Sequence, residues 1–181
     1  ALRRYLLRRV GVVEEDLDIR AVIPVNLRPD DEFEVLGNKF GLVFLALPVG
    51  VPDRWDRLRV LKERMDGLKD SSEAVVTYAI LNALGMTSPD VESVAVQFFG
   101  SKATAVMTNV PGPKEPLYLA GVPMQDMMFW VPQSARLGLG VSILSYAGQV
   151  RLGVATDAGL VPDPQSIIDA FDDEMKAMLG S

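Results

Sequence analysis

Three places in the chain carry side chains whose type and setting suit ligand chemistry. Asn109 lies in Thr108-Asn109-Val110-Pro111-Gly112-Pro113, Asn38 follows Gly37 just ahead of a long apolar run, and Arg28 follows Pro24-Val25-Asn26-Leu27. A carboxamide at a strand end can orient a substrate or steady an oxyanion, and an arginine there can pair with a phosphate. Each has a plainer reading: Pro111 and Pro113 make a turn, Gly37-Asn38 is ordinary turn chemistry, and Arg28 is a solvated or ion-paired surface residue. What is missing constrains the chemistry more. There is no histidine and no cysteine, so a general base near neutral pH would have to be a perturbed carboxylate, a lysine or a metal-bound group; if the chain is enzymatic, it is expected to be part of an enzyme.

Composition removes several classes of function. The net charge of -6 opposes nonspecific attraction to phosphate backbones, and basic and aromatic residues do not interleave as in a single-strand binder, so no nucleic-acid partner is expected. Arg3, Arg4, Arg8 and Arg9 make a basic face that either keeps an exposed helix soluble or meets an anionic cofactor or lipid headgroup. The lack of cysteine fits a reducing compartment, taken as the cytoplasm, and no stretch has the ~18 apolar residues of a membrane-spanning helix. Asp157 and Asp163 flank a short loop but no further oxygen ligands cluster with them, so no metal site is expected. The phosphate-cradling GxxxxGK[ST], the dinucleotide GxGxxG and the GxSxG elbow are absent. Gly138-Leu139-Gly140 lies inside a strand pattern, where glycine permits a close backbone approach or a bulge.

The elements that must position these residues follow from periodicity. A helix over the first ten residues has Leu2, Tyr5 and Leu6 on one face and begins without a capping residue, which suggests a natural start upstream. Ile19 to Leu27 reads as a strand in which Pro24 marks a sheet edge or a bulge. Phe40 to Leu47 reads as a strand with both faces covered. Asp53 caps a helix to about Asp70 with a buried stripe of Trp55, Leu58, Leu61, Met65 and Leu68. A second helix, from about Ser72 to Leu84, is apolar almost all round and should lie deep or under another chain, and Ser88-Pro89-Asp90 opens a third. Strands follow at Thr104 to Val110, Leu117 to Leu119, Met124 to Val131, Leu137 to Ser145 and Gln149 to Thr156, with a tight hairpin at Tyr146-Ala147-Gly148-Gln149. A last helix opens at Asp163-Pro164, capped by Asp163, with Ile167, Ile168, Phe171, Met175 and Met178 as its apolar stripe. These elements predict one α/β domain over residues 1–181, a two-layer sandwich of helices on a mixed sheet.

Five segments taken in order make one recognisable set: Ile23-Pro24-Val25-Asn26-Leu27-Arg28, Leu36-Gly37-Asn38, Thr108-Asn109-Val110-Pro111-Gly112-Pro113, Leu117-Tyr118-Leu119-Ala120-Gly121 and Ser145-Tyr146-Ala147-Gly148. The chain resembles the C-terminal domain of the bacterial-type wax ester synthase/acyl-CoA:diacylglycerol acyltransferases. The resemblance implies one half of a chloramphenicol-acetyltransferase-like fold, within the CoA-dependent acyltransferase superfamily. In that superfamily two similar α/β sandwiches enclose a substrate tunnel. It implies acyl-CoA as a substrate rather than a permanently bound cofactor, and a diacylglycerol or long-chain alcohol as acceptor. It also implies a partner, the N-terminal half bearing HHxxxDG, whose second histidine deprotonates the acceptor hydroxyl.

No position in this sequence matches that motif, so this chain alone is expected to be inactive, with no catalytic residue of its own. The family's Asn-Asp motif would fall just before Ala1. The resemblance makes Asn109 a tunnel-lining amide and Gly37, Asn38 and Arg28 channel-shaping positions. Two departures stand out: Asn26 replaces a common serine, and Thr108 replaces the usual serine before Asn109. Met107, Met124, Met127, Met128, Phe129 and Trp130 suit either tunnel lining or ordinary core. Peripheral contact with a membrane or lipid inclusion fits such substrates. Two other functions fit the same pattern: a noncatalytic scaffold or lipid-binding module of the same fold, and part of a carrier-protein-dependent condensation domain.

Overall fold

In the computed structural model, residues 1–29, 39–86, 100–133 and 137–180 are described. Gly37, Asn38 and the helix expected from Ser88 lie outside them. The chain divides into two compact units, the first built from 1–14, 105–133 and 137–181, the second from 15–104 with 134–136.

The second unit is built on an antiparallel pair, β1 (Ile19–Asn26) and β2 (Phe40–Leu47), in register without a break from Ile19↔Leu47 to Asn26↔Phe40. Pro24 therefore introduces no bulge. It faces Leu42, whose own N–H and carbonyl turn away from β1 to the Thr77 hydroxyl, so this pair exchanges no bond that proline would lack. Although β2 is apolar throughout, its burial alternates: Gly41, Val43, Leu45 and Leu47 are buried, and Leu42, Phe44 and Ala46 half-buried.

The outer edge of β2 would present unpaired backbone groups, and helices α2 (Arg54–Lys69) and α3 (Glu73–Leu84) satisfy them with side chains. Thr77 accepts from the Leu42 N–H at 2.8 Å and donates to its carbonyl at 2.7 Å, Glu73 accepts from the Phe44 N–H at 2.8 Å, and Arg64 donates to the Ala46 carbonyl at 2.7 Å. Gly41 lets α3 approach, since a Cβ there would lie 1.9 Å from the Ala74 carbonyl oxygen.

Both helices sit shallower than their sequences suggest. Asp53 caps α2 as expected, accepting from the Trp55 and Asp56 N–H groups at 2.8 and 2.9 Å. No residue of α2 is buried, however, and Trp55 and Leu58 are exposed. Inward positions are taken by Arg57, bonded to the Val51 and Pro52 carbonyls, and by Arg64, which also pairs with Asp18 at 2.8 Å. In α3 only Thr77 is buried, and Val75, Val76 and Ile80 are exposed, so this helix is not deep within its unit.

The first unit carries a mixed sheet. β3 (Ala105–Pro111) runs parallel to β6 (Leu139–Tyr146), and β6 pairs antiparallel with β7 (Gln149–Thr156). The β6–β7 turn at Ala147 (φ 46°) and Gly148 (φ 79°) is the expected tight hairpin. A second hairpin, unforeseen, joins β4 (Tyr118–Leu119) to β5 (Val122–Pro123) through Ala120 (φ 49°) and Gly121 (φ 83°). Helix α1 (Leu2–Val10) packs on α4 (Gln165–Leu179), whose Ile167 and Ala170 are buried. These are α/β units with helices packed on strands, and the sheet of the first is mixed.

Two expectations fail in this unit. Residues 124–131 form no strand. They lie across β6 and β7 as a strap, and side chains of the sheet rather than a ladder satisfy its carbonyls: the Tyr146 hydroxyl donates to Met124, and the Ser142 hydroxyl to Phe129. Just beyond, Gln133 donates to the Ala155 carbonyl at 2.8 Å. The strap lies so close that a Cβ on Gly153 would be 2.8 Å from the Phe129 oxygen, and one on Gly140 3.0 Å from Val131 Cγ1. Gly140 thus serves the close approach read from its strand setting. Asp163, in turn, does not cap α4, which begins after Pro164 with no side-chain cap. Its carboxylate instead accepts from the Tyr5 and Ser166 hydroxyls, each at 3.0 Å.

Candidate functional site

Asn109 occupies the C-terminal end of β3, opposite Ile143 of β6, and is exposed while its neighbour Thr108 is buried. The chain beyond it explains the two prolines and the glycine. Pairing with β6 continues to Pro111↔Ser145, the Gly112 N–H donates to the Ser145 hydroxyl at 3.3 Å, and the Ala147 N–H donates to the Pro113 carbonyl at 3.0 Å. A Cβ on Gly112 would lie 2.2 Å from the Ser145 carbonyl oxygen, so only glycine fits there. Pro111 thus still belongs to β3 rather than to a turn, and Gly112 and Pro113 stay bonded to the Ser145–Ala147 segment. Asn109 is left with its amide outward on a rail that the Ser145-Tyr146-Ala147 segment holds in place.

Tyr146 joins two of the segments singled out in the sequence. Its buried hydroxyl accepts from the Leu117 N–H at 2.9 Å and donates to the Met124 carbonyl at 2.8 Å, closing the base of the β4–β5 hairpin, where the Met124 N–H also donates to the Leu117 carbonyl. The hairpin exposes Tyr118, Leu119 and Val122. Ser142, Tyr146 and Gln133 have no signal in periodicity. Their trace in the sequence is indirect: Gly140 and Gly153, glycines within strands that mark where another backbone crosses.

Arg28 belongs to the other unit and lies half-buried just past β1, where its N–H donates to Asn26 Oδ1 at 3.1 Å. Asn26 therefore holds the turn out of β1. Gly37 and Asn38 lie outside the described residues.

Several acids, one lysine and Tyr5 are shifted by close neighbours. The Ser166 hydroxyl, and then the Tyr5 hydroxyl, hold Asp163 below the usual carboxylate range. Arg151 does so for Asp126, through bonds of 2.7 and 2.8 Å, and Arg8 for Asp173. The Asp56 and Trp55 N–H groups lower Asp53, and Lys62 lowers Asp66 while being raised by it. Burial, together with Asp163, raises Tyr5. Every one of these shifts moves its group further from neutrality.

Two members of the basic face of α1 pair within its own unit: Arg4 with Asp173 and Glu174, and Arg8 with Asp173. Among the described residues, no three acidic groups converge as metal ligands, and no helix is long and apolar enough to cross a membrane.

The family described as the WS/DGAT C-terminal domain matches residues 36–179. The chain belongs to this family. A putative diacylglycerol O-acyltransferase of Mycobacterium tuberculosis is 25% identical over 99% of this chain and 36% of its own length. Wax ester synthase/diacylglycerol acyltransferase 11 of Arabidopsis thaliana is 30% identical over 87% of this chain and 35% of its own. The solved wax ester synthase/diacylglycerol acyltransferase from Marinobacter aquaeolei VT8 superposes with a TM-score of 0.61 at 21% identity, over 99% of this chain and 41% of that one, and so shares the fold. The WS/DGAT C-terminal domain seen here thus spans about a third of the curated relatives it matches. Asn109, Arg28 and the Tyr146-anchored hairpin all fall within the part that the M. tuberculosis relative aligns almost end to end.

Proposed function

We propose that this domain is the C-terminal part of an O-acyltransferase that moves a fatty acyl group from acyl-CoA to a diacylglycerol or a long-chain alcohol, forming one wall of the substrate tunnel. The observation that carries this is the family match over residues 36–179, joined to a chain that has no histidine. The base would come from an HHxxxDG motif in an N-terminal half. Its second histidine takes the proton of the acceptor hydroxyl, the acceptor oxygen bonds to the acyl carbon, the thioester C–S bond breaks, and CoA leaves as the thiol with that proton returned to sulfur. Asn109 offers an outward amide on a rigid strand end, suited to orienting the substrate or steadying the oxyanion as it forms. Arg28, Gly37 and Asn38 shape the channel in the same reading, and such substrates bring the assembled enzyme to a lipid surface.

The test uses an enzyme comprising both halves. Asn109→Ala should lower CoA release from acyl-CoA by roughly 10²-fold, the scale for losing one oxyanion donor, with the variant still folded. Unchanged turnover would reduce Asn109 to packing and favour a scaffold. A preference for donors tethered to a carrier protein over free acyl-CoA would favour a condensation domain.

A further inference from the structure

Ion pairs and one buried ring hold α1 on α4. Of its nine residues only Tyr5 is buried, and Leu7 and Val10 are exposed. Arg4 reaches Asp173 at 3.2 Å and Glu174 at 3.1 Å, Arg8 reaches Asp173 at 2.8 Å, and the Tyr5 hydroxyl donates to Asp163 at 3.0 Å. Arg9 adds its charge beside Tyr5 and Asp163. The paired side chains retain between 15 and 48% of their exposure, so salt reaches them.

The sheet differs sharply: six of the eight residues of β6 are buried, and the strand is paired on both sides. Local stability should follow that gradient.

We propose that α1 is a charge-latched helix that leaves α4 and unfolds as one unit while β3, β6 and β7 stay paired, with ionic strength setting the balance. The latch comprises Arg4 and Arg8 on one side and Asp173 and Glu174 on the other, with Tyr5 on Asp163 as its hinge contact.

Hydrogen–deuterium exchange on this chain tests it, read at the Tyr5 and Gly11 amides, which donate to the Ala1 and Leu7 carbonyls, and at the amides of β6. Raising NaCl from about 0.05 M to about 1 M shortens the screening length from roughly 14 to 3 Å. The α1 amides should then exchange roughly tenfold faster and the β6 amides at an unchanged rate. At low salt, Arg4→Gln should reproduce the effect, Arg8→Gln should give a smaller one, and Lys62→Gln, which breaks a pair on α2, should leave α1 alone. Protection of α1 equal to that of β6 and indifferent to salt would overturn the proposal. So would loss of protection in α1 and β6 together, or α1 amides unprotected at both salt concentrations.

Discussion

Replacing Tyr146 with Phe removes one oxygen and leaves the shape of the side chain intact. That oxygen is buried, accepts from the Leu117 N–H at 2.9 Å and donates to the Met124 carbonyl at 2.8 Å. Each bond contributes about 0.5–1.5 kcal/mol net, and a donor left without a partner costs about 1–3 kcal/mol. Losing both bonds at once should cost about 1–3 kcal/mol in total. Urea unfolding of wild type and Tyr146→Phe, followed by circular dichroism, should show a lower midpoint at an unchanged slope. Exchange at the Leu117 amide should accelerate more than at any β6 amide, because the base of the β4–β5 hairpin opens first. A loss under about 0.5 kcal/mol with Leu117 still protected would refute the account of Tyr146 as the tie between hairpin and strap.

Gly41→Ala should be among the most damaging single changes in the second unit, by about 3 kcal/mol or more, because its Cβ would lie 1.9 Å from the Ala74 carbonyl oxygen and α3 would have to shift; an unchanged urea midpoint would contradict that contact. Thr77→Val keeps the volume but strips the partner from the Leu42 N–H and carbonyl, and should cost about 2 kcal/mol in the same assay, whereas a neutral result would mean water replaces the hydroxyl. Asp53, Asp66, Asp126, Asp163 and Asp173 all titrate below their ordinary range when folded, so their contributions are present above the unfolded carboxylate pKa and are lost as pH falls through the folded values. Tyr5, raised on folding, contributes below about pH 10 and loses that contribution as pH rises past its folded value. The urea midpoint should therefore be flat between about pH 5 and 9 and fall on either side, and a midpoint that climbs on acidification from about pH 5 to 3 would contradict the assigned partners.

Regular elements were legible wherever period and punctuation agreed. The long apolar run gave β2 from Phe40 to Leu47, and Asp53 with its first-turn acid gave the start of α2. Sequence pattern and structure part where side chains take over backbone duties. Met124 to Val131 has the composition of a strand, but Tyr146 and Ser142 occupy its carbonyls and lay it across the sheet. Asp163 stands in a capping position, yet the Tyr5 and Ser166 hydroxyls claim its carboxylate. α2 has an apolar stripe, but Arg57 and Arg64 turn inward to backbone carbonyls, a preference that periodicity does not register. Of the candidate site, the strand-end placement of Asn109 was readable from the prolines that follow it. The rigidity of that strand end was not, because it depends on Gly112 meeting Ser145 from a distant segment.

On the proposed reading this domain supplies a binding wall, and the proton acceptor lies in an N-terminal half. Following CoA release from a long-chain acyl-CoA, with diacylglycerol or a fatty alcohol as acceptor, decides it. The purified chain, an HHxxxDG-bearing N-terminal half and their mixture would be compared, with folding of each checked by circular dichroism. The account predicts background release from each piece and turnover from the mixture. Ester formation by this chain alone, or no release from a folded and associated mixture, would contradict it.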